Sequence, residues 1–319
     1  MKPLQASSGD LNADRRADYA EMLHADGDHA AAAELLLGAL ELTPQWAMGW
    51  FRLGEMQQAA GAPSLAAQAW TMSLQLDPTD RQGASLNLQL IGKAPATDAL
   101  PSAFVETLFD HYAESFEGSL VGKLGYRLPD VLDQAIRQAR PGRFALTVDL
   151  GCGTGLMGER LRPVADRLEG YDISAAMLRK ARAKGIYDRL VKADLQDFTW
   201  TGPKADLVVA ADVFIYVGAL EGVVKAIAGM LARDGLFAFS VETLAGEAAT
   251  GEAATGEAAD RIDFALLPSR RYAHSKAYVS RVLGVAGLAV LSMQPTVIRQ
   301  DRSQPVDGLA VVATLPSNG

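Results

Sequence analysis

Cysteine is almost missing from this chain. Cys152 stands alone among 319 residues, which excludes an internal disulfide and a zinc site built on several thiolates. No stretch approaches the roughly 20 apolar residues that a membrane span needs, so no membrane partner is expected. Lysine and arginine nowhere gather into a run long enough to track phosphates. The formal charge of −8, from 30 basic and 38 acidic residues, further weighs against nucleic acid. The opening residues, MKPLQASSGDLNADRR, lack an apolar core and carry Asp10 and Asp14, so they read as neither signal nor transit peptide. These absences together lead to the expectation of a cytoplasmic protein. What remains is ordinary globular material, 49% hydrophobic and 21% charged, in a length that suggests two domains.

Self-similarity marks the first domain. Pro44 and Pro78 each close a similar phrase, ALELTP and SLQLDP, 34 positions apart. Trp50, Leu53, Gly54, Ala66 and Trp70 fall at the positions of a helical-hairpin repeat of that period. Tyr19, Ala32, Leu36 and Ala39 repeat the pattern more loosely. Small residues such as Ala32, Gly54 and Ala66 let paired helices approach, while Trp50 and Trp70 fill the space between turns. Gly27 and Gly61 fall where each hairpin must reverse. Asp80 can cap a fifth helix, whose Leu86, Leu88 and Leu90 would cover the open end. Residues 13–93 thus resemble the tetratricopeptide-repeat (TPR) family, which implies an all-α domain and a surface for a protein partner. Residues 1–12 read as a disordered tail, and 94–101, with two prolines, as a linker.

From residue 102 onward the pattern changes. SAFVETLFDHYAESFEGSL reads as one helix capped by Ser102, with Phe104, Leu108, Tyr112 and Phe116 at near-helical spacing. A helix from Pro129 to about Arg140 leads to the strand FALTVDL. Strands RLEGYD, RLVKAD, ADLVVAAD and GLFAFSVE then alternate with helical stretches, which argues a parallel sheet covered on both faces. LAVLSMQP and GLAVVATL have no helix-length pattern between them, so the chain ends in an antiparallel hairpin. Residues 246–260 repeat GEAAT GEAAT GEAAD, too small and polar to pack a core, and read as a surface loop.

VDLGCGTGLMG, Val148–Gly158, carries the chemistry. Glycines between a strand and a helix let backbone approach a ligand. Gly153, Gly155 and Gly158 alone would also suit a nicotinamide dinucleotide and an oxidoreductase. Three acidic residues favour S-adenosylmethionine instead. Asp149, at the end of the first strand, would repel a pyrophosphate but attract the ammonium of a methionine moiety. Asp172, ending the second strand, stands where a carboxylate takes ribose hydroxyls. Asp194 ends the third strand, positioned to accept from the adenine amine while Leu195 covers the ring. Each also has a plainer reading: a helix cap for Asp149, capping or charge–dipole stabilisation for Asp172, a turn aspartate for Asp194.

VDLGCGTG, GYDIS, KADL and the terminal hairpin resemble the Rossmann-like S-adenosylmethionine-dependent methyltransferases over about residues 104–316. The resemblance implies an α/β fold with a seven-stranded sheet whose last-formed strand runs antiparallel, in a domain spanning 102–319. It transfers cofactor contacts to Asp149, Gly151, Gly153, Asp172, Asp194 and Leu195. Cys152, Gly155, Ile173, Met177, Asp212 and Tyr112 join them as candidate contacts. Cys152 reads as a small packing residue, since no partnering base is apparent. The whole arrangement looks most like bacterial methyltransferases with tetratricopeptide repeats ahead of the catalytic domain.

The sulfonium already makes its methyl group electrophilic, so a dedicated base is not required. Asp212, Phe214 and Tyr216 lie where an acceptor would approach. His274 and Tyr272, in RRYAHS, are placed to overhang the same pocket, with His274 as candidate general base. Catalytic candidates are therefore Asp212, Tyr216 and His274. Phe109, Tyr112 and Phe116 suit either a lid over the cofactor or ordinary core. Arg270, Arg271 and Lys276 suit either an acidic substrate or a solvated loop. The acceptor, small molecule or protein, and its reacting atom do not follow from the sequence. A cofactor-binding scaffold or assembly factor without turnover is the competing reading, motivated by the lack of an obvious base.

Overall fold

The computed structural model describes residues 7–120, 125–244, 262–301 and 304–317. The chain divides into two compact units with the boundary between Ala96 and Thr97. No helix among the described residues is long and apolar enough to cross a membrane.

The first unit contains helices α1 (Leu11–Ala25), α2 (His29–Leu40), α3 (Ala47–Ala59), α4 (Pro63–Leu76) and α5 (Ala84–Leu90). Residues 1–6 lie outside the described residues. Helix α1 already starts at Leu11, inside the stretch read as a tail, because Asp10 accepts from the Asn12 and Ala13 amides at 2.8 and 2.9 Å. Gly27 and Gly61 both adopt the left-handed backbone, at φ +91° and +77°, and reverse the chain between paired helices. Helix α3 packs on α4 by contact of Gly54 with the Trp70 ring. A Cβ on Gly54 would lie 2.5 Å from Trp70 Cδ1, and Trp70 is itself buried with its indole N–H on the Phe51 carbonyl. Gly54→Leu is therefore expected to destabilise this unit by about 1–3 kcal/mol through overpacking. Urea denaturation followed by helical circular dichroism checks this, and an unshifted midpoint would disprove the contact's importance. Asp80 does cap α5, accepting from the Ala84 and Ser85 amides at 2.6 and 3.1 Å. Leu86 and Leu88 are buried but Leu90 is exposed, since alternate residues of a helix cannot all share one face.

The second unit is a sheet with helices on both sides. Its strands are β1 (Phe144–Leu150), β2 (Ala165–Asp172), β3 (Arg189–Lys192), β4 (Ala205–Ala210), β5 (Leu231–Thr243), β6 (Phe264–Leu266), β7 (Tyr272–His274), β8 (Ala289–Asp301) and β9 (Gln304–Thr314). Strands β3-β2-β1-β4-β5 are parallel neighbours in that order. Strand β9 joins β5 antiparallel, and β8 pairs antiparallel with β9, forming the expected hairpin.

These seven strands are joined by two short ones beyond the seven that the resemblance implies. Strand β7 runs parallel to the end of β5, and β6 pairs antiparallel with β7. The GEAAT repeat between β5 and β6 lies outside the described residues.

Helices α8 (Leu128–Ala139) and α9 (Leu156–Leu161) cover one face through a core that includes Leu132, Ile136, Leu161 and Leu207. Helices α11 (Glu221–Met230) and α12 (Lys276–Val285) cover the other against Phe237 and Phe239. Strand order reverses direction at β1, so the crevice at the carboxyl ends of β1 and β4 is where a ligand fits this topology.

Two segments depart from expectation. The helix begun at Ser102 breaks: α6 (Ser102–Tyr112) is followed by a turn and then α7 (Phe116–Leu120). Ser102 is its first residue and makes no capping bond. Residues 97–101 are not a free linker. The Leu100 amide donates to the Tyr216 carbonyl, the Gly218 and Ala219 amides donate to that of Asp98, and Leu100 is fully buried.

Candidate active site

The loop after β1 is built from left-handed glycines. Gly151, Gly153 and Gly155 have φ of +65°, +54° and +94°, a backbone that L-residues with a Cβ adopt only under strain. At Gly151 a Cβ would also meet Val213 at 2.5 Å, whereas Gly153 meets only Phe116, at 3.9 Å. The Cys152 amide donates to the Tyr171 carbonyl at 3.0 Å, tying the loop to β2. Cys152 is buried and burial pushes its thiol up, so it packs and is not a nucleophile.

Two buried carboxylates flank this loop. Asp149 is 1% exposed. Its Oδ2 accepts from the Tyr187 hydroxyl at 2.6 Å, and its Oδ1 has no hydrogen-bond partner among the described residues. Burial raises its pKa to about 7, with the Tyr187 bond opposing and the Asp172 charge adding. Asp172 accepts from the Gly153 and Ser174 amides, both at 2.8 Å, and burial raises it to about 6. Its capping role and a ligand role are compatible, because each carboxylate oxygen keeps a second lone pair. Ser174 caps helix α10 (Ala175–Lys184) through the Met177 amide at 3.0 Å.

Asp194 is half-buried and accepts from the Gln196 amide at 2.9 Å, a local turn bond that leaves Oδ2 available. Leu195 is half-buried against the apolar core. Ile173 is half-buried beside Asp172. Met177, by contrast, is fully buried under Phe109, Tyr112 and Phe116. Its side chain has no exposed surface. Tyr112 belongs to the same packed group. The break between α6 and α7 turns Phe116 onto Phe109, with ring centroids 6.1 Å apart, and Phe109 meets Tyr216 edge-on at 5.4 Å. Asp110 anchors this segment, accepting from the Ser174 hydroxyl at 2.6 Å and the Ala176 amide at 3.1 Å.

At the end of β4, Asp212 has φ +59°, and its amide donates to Ser240 Oγ at 2.9 Å. Both its oxygens are held by Arg299 Nη1 at 2.8 Å. Arg299 also pairs with Glu242, and both are nearly inaccessible, at 2% and 3% exposure. Asp212 is thus an anchored member of a buried ion triad, and a free base it is not. Tyr216 is half-buried and its hydroxyl is pushed up, burial being the main cause, so it stays protonated at neutral pH.

His274 does not overhang the pocket. It is fully buried, and Nε2 lies 2.9 and 3.0 Å from the Val217 and Gly218 carbonyls, which requires it to donate there. Burial lowers its pKa to about 4. The neutral ring therefore locks β7 onto the turn after Tyr216, and the general-base assignment fails on access. Tyr272 is buried as well, its hydroxyl on the Thr97 carbonyl at 2.6 Å. Of the basic cluster, Arg270 lies over the Phe104 ring, while Arg271 faces Asp301 at 3.5 Å and hydrogen-bonds Tyr216.

Sequence reasoning missed Tyr187, Asp110, Glu242 and Arg299. Only the last two left a signal, as single charges inside the apolar strands FSVE and TVIRQ.

The family model described as "Methyltransferase domain" matches residues 148–239, from the end of β1 into β5. The chain is 36% identical over 116 residues to methyltransferase-like protein 27 of Homo sapiens, covering 35% of this chain and 45% of that protein. It is 31% identical over 106 residues to malonyl-[acyl-carrier protein] O-methyltransferase of Enterobacter lignolyticus, covering 33% and 41%. The chain thus spans less than half the length of these curated relatives. Among solved structures, an S-adenosylmethionine-dependent methyltransferase from Clostridium acetobutylicum superposes with a TM-score of 0.48 at 17% identity, covering 66% of this chain and 100% of that one.

Proposed function

We propose, for a chain whose residues 148–239 match a methyltransferase-domain family model, that the whole protein transfers a methyl group from S-adenosylmethionine to an acceptor. The observation that carries this reading is Asp149: a buried carboxylate whose Oδ1 has no partner among the described residues, ahead of a left-handed glycine loop. A buried anion short of a hydrogen-bond donor calls for a cation, which the ligand's ammonium supplies.

When bound, S-adenosylmethionine provides a methyl group made electrophilic by its sulfonium. Asp172 offers its remaining lone pairs to the ribose, and Asp194 Oδ2 accepts from the adenine amine. Gly151 and Gly153 let the backbone come close. Phe109, Phe116 and Tyr216 form an aromatic wall that excludes water and aligns the acceptor. Arg299 neutralises Asp212, so that this end of the crevice does not add a second free anion. With His274 buried, Asp212 paired and Tyr216 protonated, the acceptor brings its own nucleophile.

In this reading the N-terminal helix pairs are tetratricopeptide units that recruit a protein, as partner or as acceptor. The 34-residue spacing and the seating of Trp70 on Gly54 support it. Incubating cell extract with the enzyme and methyl-labelled cofactor tests the reaction, and label is expected in a discrete acceptor. Cofactor binding with no label transferred across protein and small-molecule fractions would instead favour a scaffold.

A further inference from the structure

Tyr187 sits in the short connection between α10 and β3, with nothing in its local sequence to suggest a part in the site. Its ring nevertheless threads a gap lined by three glycines to reach Asp149. A Cβ on Gly155 would lie 3.1 Å from the ring and one on Gly170 2.9 Å, while one on Gly158 would collide with the hydroxyl itself. Gly170 is the β2 residue in register with Asp149, so the gap opens directly beside the carboxylate. Gly158, the last glycine of Gly153-x-Gly155-x-x-Gly158, thus makes room for the tyrosine hydroxyl.

The next residue holds Tyr187 in place. The Asp188 amide donates to the Leu168 carbonyl at 2.8 Å, and its carboxylate accepts from the Leu168 amide at 2.7 Å and from Arg162 at 2.8 Å. The tyrosine is therefore clamped to β2 before it meets Asp149. Such second contacts fix the geometry of a group that touches ligand.

We propose that Tyr187 is a positioning residue for cofactor binding. Its hydroxyl occupies one oxygen of Asp149 and so dedicates the other, Oδ1, to the cofactor's ammonium. This rests on the reading of the crevice as an S-adenosylmethionine site. The groups acting on Asp149 are Tyr187 itself, Asp172 at the end of β2, Cys152 in the loop and Tyr126 ahead of α8. Of these only the Tyr187 bond favours the carboxylate form, against burial and the charge of Asp172. Without it Asp149 takes up its proton at higher pH, and the cation loses its counter-charge there.

The test is binding of S-adenosylhomocysteine to wild type, Tyr187→Phe, Asp149→Asn and the double variant, by calorimetry from pH 5.5 to 8.5. The ligand's own amine titrates identically in every case and cancels in the ratios. Tyr187→Phe is expected to move the acidic limb of binding upward. That costs about tenfold in affinity at pH 6.5, for a shift of roughly one unit, and much less at pH 8.5. Asp149→Asn should erase the limb, and adding Tyr187→Phe to it should change nothing further. A loss equal at all pH values, or none, would overturn the proposal and leave the cofactor site standing. Wild type without affinity would instead remove the cofactor reading, and the proposal with it. Carbon-13 titration of the Asp149 carboxyl in the free protein checks the same shift without ligand.

Discussion

Asp149→Asn is expected to weaken S-adenosylmethionine binding about a hundredfold, the scale of a charge-assisted bond in a buried site, while making the ligand-free protein more stable at pH 8. The second effect follows from the sign of the linkage. Burial raises Asp149 from 3.8 to about 7 in the folded state, so the folded protein holds this proton more tightly than the unfolded chain. Stability from that source is fully present below pH 4 and is lost as pH rises through 7. At pH 8 the folded state carries an ionised carboxylate with an unpartnered oxygen, and asparagine removes that burden. It still accepts from Tyr187. Thermal unfolding at pH 4 and pH 8, with and without cofactor, checks both halves. A variant that melts with wild type at both pH values would show that Asp149 is not a strained anion. Sites held ready for a ligand commonly trade stability in this way.

Arg299→Met is the second large effect, expected to destabilise the protein by about 3–5 kcal/mol, the range for removing one partner of a buried ion pair. Met keeps most of the volume but removes the cation bonded to both Asp212 and Glu242, leaving only the charge of Arg271 acting on Glu242. Burial already raises Glu242 even with Arg299 present. The two carboxylates would then repel each other, and the loss should be greatest at neutral pH. It should ease as pH falls and Glu242, which burial already raises, takes up a proton. Denaturant titration at pH 5 and pH 7.5 measures this. Equal losses at both would mean that packing, not charge, is what Arg299 supplies.

The residues that could be read from the sequence are those whose role is local. Asp149, Asp172 and Asp194 sit at or just beyond successive strand ends, because topology delivers the ends of parallel strands to one edge. Gly27 and Gly61 were legible for the same reason, since a hairpin turn is decided within a few residues. Tyr187 was not, because its partner Asp149 is 38 positions away and their meeting depends on Gly170 opening the neighbouring strand. Arg299 was hidden likewise, reaching Asp212 across β5 and β9 over 87 positions. For His274 the sequence shows a titratable side chain near the site, but access is a property of packing, and Phe264, Tyr278 and the turn after Tyr216 enclose it completely. The break after Tyr112 is not legible in the sequence, because aromatic spacing continues through it. There tertiary contacts of Phe116 outweigh helix continuity.

Calorimetric titration of the full chain with S-adenosylhomocysteine, with a nicotinamide dinucleotide as comparator, tests most directly whether the three strand-end carboxylates grip one sulfonium nucleoside. One equivalent of the nucleoside should bind, Asp172→Asn and Asp194→Asn should each weaken it, and the dinucleotide should give no heat. A chain that ignored the nucleoside at millimolar concentration, or that bound the dinucleotide in its place, would contradict the assignment.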